Sequence, residues 1–344
     1  MSKQNLIILF GGESRERLVS VATAQNLSQA LPEALCWFWA PDDRVYQVSH
    51  EELMSHSDVF KSEFKSSNKA VFENILLALD SKTAAQSLFV LAVHGGRGEN
   101  GVLQGWLETR KIAFTGPNSR ACALTMDKEA SKQAVRAQGL RVAESVLLRG
   151  CDADSESRLS NMLSQYPKLI LKPNDEGSSF GLCVLTSEKR DLAREKLKSD
   201  PDRVYILEVF IEGTELTVGV YDEGSGARAL VPTELRAQNG FADYDGKYLG
   251  LGTLEITPAQ VSESVTKEAQ RMALLAHQIL GCEGYSRTDM MVDAGGPVYL
   301  ETNPLPGLTK ASLVPQALAY EGVSMREFML NQVELAYDRL SRSL

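Results

Sequence analysis

Cysteine is scarce and scattered: Cys36, Cys122, Cys151, Cys183 and Cys282 share no CxxC spacing. That excludes a disulfide framework and a cysteine zinc site, and a reducing cytoplasm is the expected setting. Long apolar runs are also missing. The longest, such as Leu6–Phe10 and Leu88–Val93, fall far short of the roughly 20 residues that cross a bilayer. Met1–Asn5 shows no signal-peptide pattern, so no membrane association is expected. Clustered lysine and arginine are absent, and the formal charge of -9 has the wrong sign for a phosphate backbone. No nucleic-acid partner is expected. Histidine is limited to four residues, with no Ser/His/Asp pattern around them. Gly11-Gly12 does not continue as GxGxxG, which argues against a nicotinamide dehydrogenase. No Gly-Lys-Ser/Thr opens a helix as a P-loop would.

What is present is an ordinary globular composition, 43% apolar and 24% charged over 344 residues, enough for two or three domains. The first hundred residues alternate buried-strand runs with helical patterns. Leu6–Phe10 ends in Gly11-Gly12, and Val19, Ala22, Leu27 and Leu31 then mark one helix face. Leu88–Val93 runs directly into the glycine-rich His94–Gly101. Such repetition predicts a parallel α/β unit with ligand loops at the carboxyl ends of its strands. A helix is expected over Lys128–Gln138, and strands over Leu169–Lys172 and Val204–Leu207, with a charged helix at Ser187–Leu197 between them. From Leu216 the pattern turns antiparallel. A long helix is expected to begin at Thr257-Pro258-Ala259-Gln260, with a capping threonine and Pro in the first turn. The expected domains are 1–118, 119–211 and 212–344.

The most informative stretch is Arg287 to Asn303. Asp289–Asp293 and Pro297–Glu301 read as the two strands of a β-hairpin around Ala294-Gly295-Gly296. With a three-residue loop at 294–296, Asp289 faces Glu301 and Arg287 faces Asn303, all on one side. A two-residue loop at Gly295-Gly296 would put the carboxylates on opposite faces, and sequence alone does not choose. In the first register two carboxylates stand about 5 Å apart and repel unless neutralised. A hard divalent cation with oxygen ligands does this, with Asn303 adding a neutral oxygen.

Lys172-Pro173 leads from a strand into Glu176-Gly177-Ser178-Ser179-Phe180-Gly181, a small-residue loop able to close over an anion. A second lysine lies in Met126-Asp127-Lys128. Glu208 and Glu215 bracket Phe210-Ile211-Glu212-Gly213, a connector along which adenine and ribose could lie.

In order, these pieces resemble the D-alanine–D-alanine ligases of the ATP-grasp superfamily. The resemblance rests on Gly11 to Ser20, His94 to Gly101, Met126 to Lys128, and Lys172 through Gly181. It continues through Glu208 to Val218, Asp243 to Tyr248, Arg287 to Asp289, and Glu301 to Pro315, thus covering nearly the whole chain. Asn100 stands where the family usually has Asp.

The resemblance implies a three-domain ATP-grasp fold, α/β with α+β character in its C-terminal parts and an N-terminal parallel α/β (preATP-grasp) domain. The implied activity joins two D-alanines through an acyl phosphate, for peptidoglycan precursors. Lys128, Lys172, Glu208, Val209, Ile211 and Glu215 would bind ATP. Asp289, Glu301 and Asn303 would hold two magnesium ions, or manganese. Glu16 would meet the first substrate's ammonium, hydrogen-bonded with Ser178 and Tyr248, and His94 would lie beside that substrate. Arg287 and the Gly307 N–H would stabilise developing negative charge. Ser312 and Leu313 would receive the second carboxylate. The family also implies a homodimer. Two other readings are a related ligase with a different second amino or hydroxy acid, and a catalytically retired nucleotide-binding protein. The retired reading predicts decay at Arg287, Asp289, Glu301 and Asn303, all of which are present.

Overall fold

The computed structural model describes residues 5–150, 152–177, 181–237 and 253–343. The strand run at the start becomes β1 (Asn5–Gly11), whose interior is almost fully buried. Helix α1 (Arg17–Ala30), β2 (Leu35–Trp39) and β3 (Val45–Val48) follow. Three short helices, α2 (His50–Ser55), α3 (Ile75–Leu79) and α4 (Lys82–Ala85), precede β4 (Ser87–Val93). The sheet order is β3-β2-β1-β4, with β1 parallel to both β2 and β4 and β3 added antiparallel at the edge. The chain therefore winds away from β1 in both directions. The crevice beyond the ends of β1 and β4 is the topological switch point, where α/β sheets place ligands. Continuous apolar runs suit strands covered on both faces. Each fully buried leucine here is worth about 2 kcal/mol over an exposed one.

After α5 (Val102–Thr109), helices α6 (Ser119–Met126) and α7 (Lys128–Ala137) pack toward the C-terminal sheet. Val135 of α7 shares a core with Leu216, Met290 and Tyr299. A second sheet, order β5-β8-β6-β7, is antiparallel throughout. It comprises β5 (Ser145–Arg149), β6 (Leu169–Pro173), β7 (Cys183–Leu185) and β8 (Val204–Val209), covered by α8 (Ala153–Gln165) and α9 (Arg190–Ser199).

The third sheet runs β12-β11-β9-β13-β14, with β10 also on β9. Its strands are β9 (Thr214–Asp222), β10 (Ala227–Ala229), β11 (Thr233–Ala237), β12 (Thr253–Ile256), β13 (Tyr285–Asp293) and β14 (Gly296–Asn303). Helix α10 (Glu263–Ile279) covers it. This helix starts five residues later than the Thr257 cap predicts. Ser262 outcompetes Thr257 as the cap, accepting the Val265 N–H at 3.3 Å, while the Thr257 hydroxyl pairs with Thr233 at 2.6 Å. Helix α11 (Leu313–Tyr320) leads to α12 (Met325–Ser343), whose Phe328 and Met329 return to the core around β1 and β4. No described helix is long and apolar enough to cross a membrane.

The hairpin differs from both loops that sequence allows. The turn is Ala294-Gly295, so Asp293 pairs with Gly296 and Met290 with Tyr299. A register shift between Asp289 and Met290, with Leu300 as the extra residue, then brings Asp289 opposite Glu301 and Arg287 opposite Asn303. A β-bulge thus restores the pairing that a three-residue loop would have given.

Candidate active site

The ends of β1 and β4 are fastened to α1 through Ser20. Its hydroxyl accepts the Gly11 N–H and donates to the Ala92 carbonyl, both at 2.6 Å. This sets the two glycine-bearing loops side by side. Glu16, at the start of α1, is wedged between Gly95 and Gly177. A Cβ on Gly95 would lie 2.5 Å from the Glu16 carboxylate, and Gly95 holds a positive φ of 65°, so both contact and conformation demand glycine. These residues border a cavity of about 530 Å³ that Asp175, Glu176 and Arg203 also line.

His94 is buried beneath this loop. Its Nδ1 lies 3.1 Å from the Leu305 carbonyl and its Nε2 2.9 Å from the Thr23 hydroxyl. A carbonyl only accepts, so Nδ1 carries the proton and Nε2 accepts from Thr23. Burial, helped by the charge of Arg287, pulls the ring down to about 4 and leaves it neutral. Glu99, also buried, accepts the Gly95 N–H at 2.8 Å. Burial first, and the neighbouring Glu16 second, push its carboxyl up to about 8.

Arg287 grips Asp289 with two bonds, Nε to Oδ1 at 2.9 Å and Nη2 to Oδ2 at 2.8 Å. The Thr217 hydroxyl adds a third at 2.5 Å. Glu301, opposite Asp289, lies 3.4 Å from Lys128 Nζ, and Asn303 is opposite Arg287. Two carboxylates and an amide oxygen on one face suit a hard divalent cation. Among the described residues no cluster of three His, Cys, Asp or Glu side chains makes a closed cage. The set fits magnesium, which takes one or two carboxylates and completes its shell with phosphate and water.

Lys128 opens α7, and its ammonium donates to the Glu176 carbonyl. Asn174 places it there. Asn174 accepts the Lys128 N–H on its carbonyl and the Glu129 N–H on Oδ1, both at 3.0 Å. Lys172 on β6 reaches Glu208 on β8 at 2.7 Å. Burial depresses the Lys172 ammonium, but Glu208, Glu301 and Asp289 outweigh it and raise it overall. Val209, Ile211 and Glu215 follow along the connector from β8 into β9, where the Val209 N–H is taken by the Glu144 carbonyl at 2.9 Å. Glu215 is two residues from Thr217 on β9 and so shares its face.

Gly307 packs against Ser312, with only 2.9 Å from an added Cβ to Oγ. The Ser312 hydroxyl accepts the Thr309 N–H at 3.2 Å and pairs with the Thr309 hydroxyl at 2.8 Å. Leu313 begins α11 immediately after. Ser178 and Tyr248, with the rest of 243–248, lie outside the described residues. Sequence reasoning assigned no role to Lys132, Glu99, Thr217 or Asn174. Lys132 had a signal, four residues from Lys128 and hence on the same helix face; the others had none.

A family model described as "D-ala D-ala ligase N-terminus" matches residues 5–117, and one described as "D-ala D-ala ligase C-terminus" matches 135–334. A D-alanine–D-alanine ligase of Leptospira biflexa is 34% identical over an alignment of 353 positions, spanning 98% of this chain and 99% of the relative. The solved D-alanine–D-alanine ligase of Coxiella burnetii superposes with a TM-score of 0.81 at 25% identity, covering 100% of this chain and 96% of that one. The Bacillus anthracis ligase solved in complex with ATP shares the fold, with a TM-score of 0.75 at 23% identity and complete coverage of both chains.

Proposed function

The chain belongs to the D-alanine–D-alanine ligase family, and we propose that it joins two D-alanines at the expense of ATP, for peptidoglycan precursor synthesis. The observation that carries this reading is the position of Arg287. It is bonded to Asp289 at the carboxylate hairpin, and its charge reaches His94 and Glu99 beside the Gly95 loop. One cation therefore joins the substrate end to the phosphate end.

A carboxylate is a poor electrophile, and transfer of the ATP γ-phosphoryl group turns it into an acyl phosphate that the second amine attacks. Glu16 holds the first ammonium, with Ser178 and Tyr248 as its partners, and His94 keeps the loop beside it in place. Arg287 and the Gly307 N–H face the oxyanion that develops on attack. Ser312, with Leu313 at the positive end of α11, takes the second carboxylate. Lys128, Lys172, Glu208, Val209, Ile211 and Glu215 hold the nucleotide. Asp289, Glu301 and Asn303 would hold two magnesium ions, replaceable by manganese, which would neutralise the transferring phosphoryl group. Three domains with limits near 118 and 211, a homodimer and a cytoplasmic setting complete the reading.

Purified protein with ATP, magnesium and D-alanine should release phosphate and form D-alanyl-D-alanine, measured by phosphate assay and chromatography of the product. Turnover with another amino or hydroxy acid but not with D-alanine would overturn the substrate. Absence of phosphate release with every acceptor in such a panel would overturn the ligase itself.

A further inference from the structure

Glu208 is neutralised twice. Lys172 Nζ sits 2.7 Å from Oε1 and Lys132 Nζ 2.9 Å from Oε2. All three side chains are buried, Lys132 to 1% exposure and Glu208 to 3%. Burial alone would push the Glu208 carboxyl up, but the two lysines outweigh it and bring it to about 2. The lysines are not equivalent. Lys172, on β6, lies in the field of Glu301 and Asp289 as well as Glu208, and so faces the place where phosphates are read to bind. Lys132, on α7, is directed at Glu208, and among the described residues that is its one ion pair; the Lys172 ammonium opposes its charge, and Glu129 supports it.

Two anions thus compete for Lys172 once a nucleotide is present. A buried carboxylate stripped of its only cation is strongly disfavoured, so a site with Lys172 alone would resist giving that lysine to the phosphates. We propose that Lys132 is a positioning residue for nucleotide binding: it holds Glu208 in place and ionised while Lys172 turns from that carboxylate to the phosphates. This rests on the nucleotide reading above and adds a division of labour between the two lysines.

Removing Lys132 then has a specific signature. Glu208 would depend on Lys172, and committing Lys172 to phosphate would oblige the carboxylate to take up a proton. The groups that set this balance are Lys172 and Lys132 on Glu208, Glu129 beside Lys132, and Glu301 and Asp289 beyond Lys172. Calorimetric titration of the full chain with magnesium and a non-hydrolysable ATP analogue, in buffers of differing ionisation heat, counts the protons. Lys132→Met should take up about one proton more than the wild type. Its affinity should fall by up to tenfold per pH unit across the range in which that proton is gained. Lys132→Arg should restore the wild-type count, and adding Glu208→Gln to Lys132→Met should abolish the extra proton. Should Lys132→Met fail to fold, as judged by circular dichroism, Lys132→Gln carries the same comparison. A wild-type proton count in a folded Lys132→Met or Lys132→Gln protein, at any affinity, overturns the proposal. Failure of the wild type itself to bind the analogue would instead overturn the nucleotide reading.

Discussion

Glu99 sits in a glycine-rich run where its identity alone says little, since most acids in such loops are solvated. The fold buries it against the Gly95 N–H with Glu16 beside it. That is a tertiary fact, and no spacing in the run discloses it. Lys132 left one trace, its spacing of four from Lys128 on a helix face, whereas Lys128, Lys172 and Asp289 stand in runs whose residue types already suggest ligands. The raised carboxyl has a consequence for stability. Its value climbs from 4.5 when unfolded to about 8 when folded, so the native state holds this proton longer. Stability from this group is full below pH 4.5 and is lost as pH rises through 8, by an amount on the order of a few kcal/mol. Glu99→Gln should remove that loss. Urea unfolding at a series of pH values should show the variant gaining on the wild type from pH 5 to 9. A difference that stays flat across this range would show that Glu99 is not held protonated.

At the scale of elements, the run Asp289–Asp293 made β13 legible, and Ala294-Gly295-Gly296 marked the turn. Neither revealed the bulge at Leu300, because an extra residue in a ladder depends on how the strand meets its partner rather than on its own residue type. Nor did sequence reveal that β13 is interior to the sheet while β14 is its edge. This difference makes the two facing carboxylates unequal. Asp289 on the interior strand is buried under three hydrogen bonds from Arg287 and Thr217. Glu301 on the edge is 19% exposed at its side chain and has Lys128 at 3.4 Å. Asp289→Ala would leave Arg287 as a nearly buried cation without that partner and should cost about 3 kcal/mol. Glu301→Ala should cost under about 1 kcal/mol. Both should abolish magnesium-dependent phosphate release. Equal stability losses in paired chemical denaturation experiments would contradict the assignment of interior and edge roles.

The architecture of the whole molecule depends on a closure that joins its two ends. No local spacing in the last residues says that they dock on the first sheet, because long-range pairing leaves no local mark. In the structure α12 lays Phe328, Met329 and Val333 into the core shared with β1 and β4. One residue then fastens the exit of the first sheet to the entry of β13. Arg339 donates to the carbonyls of Phe114 and Gly116, both at 2.6 Å, and to Glu283 at 3.1 Å, with its guanidinium 4.2 Å from the Phe114 ring centroid. Glu283 is two residues before β13, whose Arg287 brings its charge to bear on His94 and Glu99 in the loop after β4. A slack joint at Arg339 would therefore alter how the substrate end faces the carboxylate hairpin. Arg339→Met keeps the length of the side chain and removes the charge and the bonds. With hydrogen bonds to charged groups worth about 1.5–3 kcal/mol, part of it offset by water at a half-exposed partner, the variant should lose about 2–3 kcal/mol. It should also broaden or split the calorimetric unfolding transition, since the first sheet is then less firmly bound to the rest. A sharp single transition with a loss under about 0.5 kcal/mol would mean that the apolar face of α12 alone holds the two ends together.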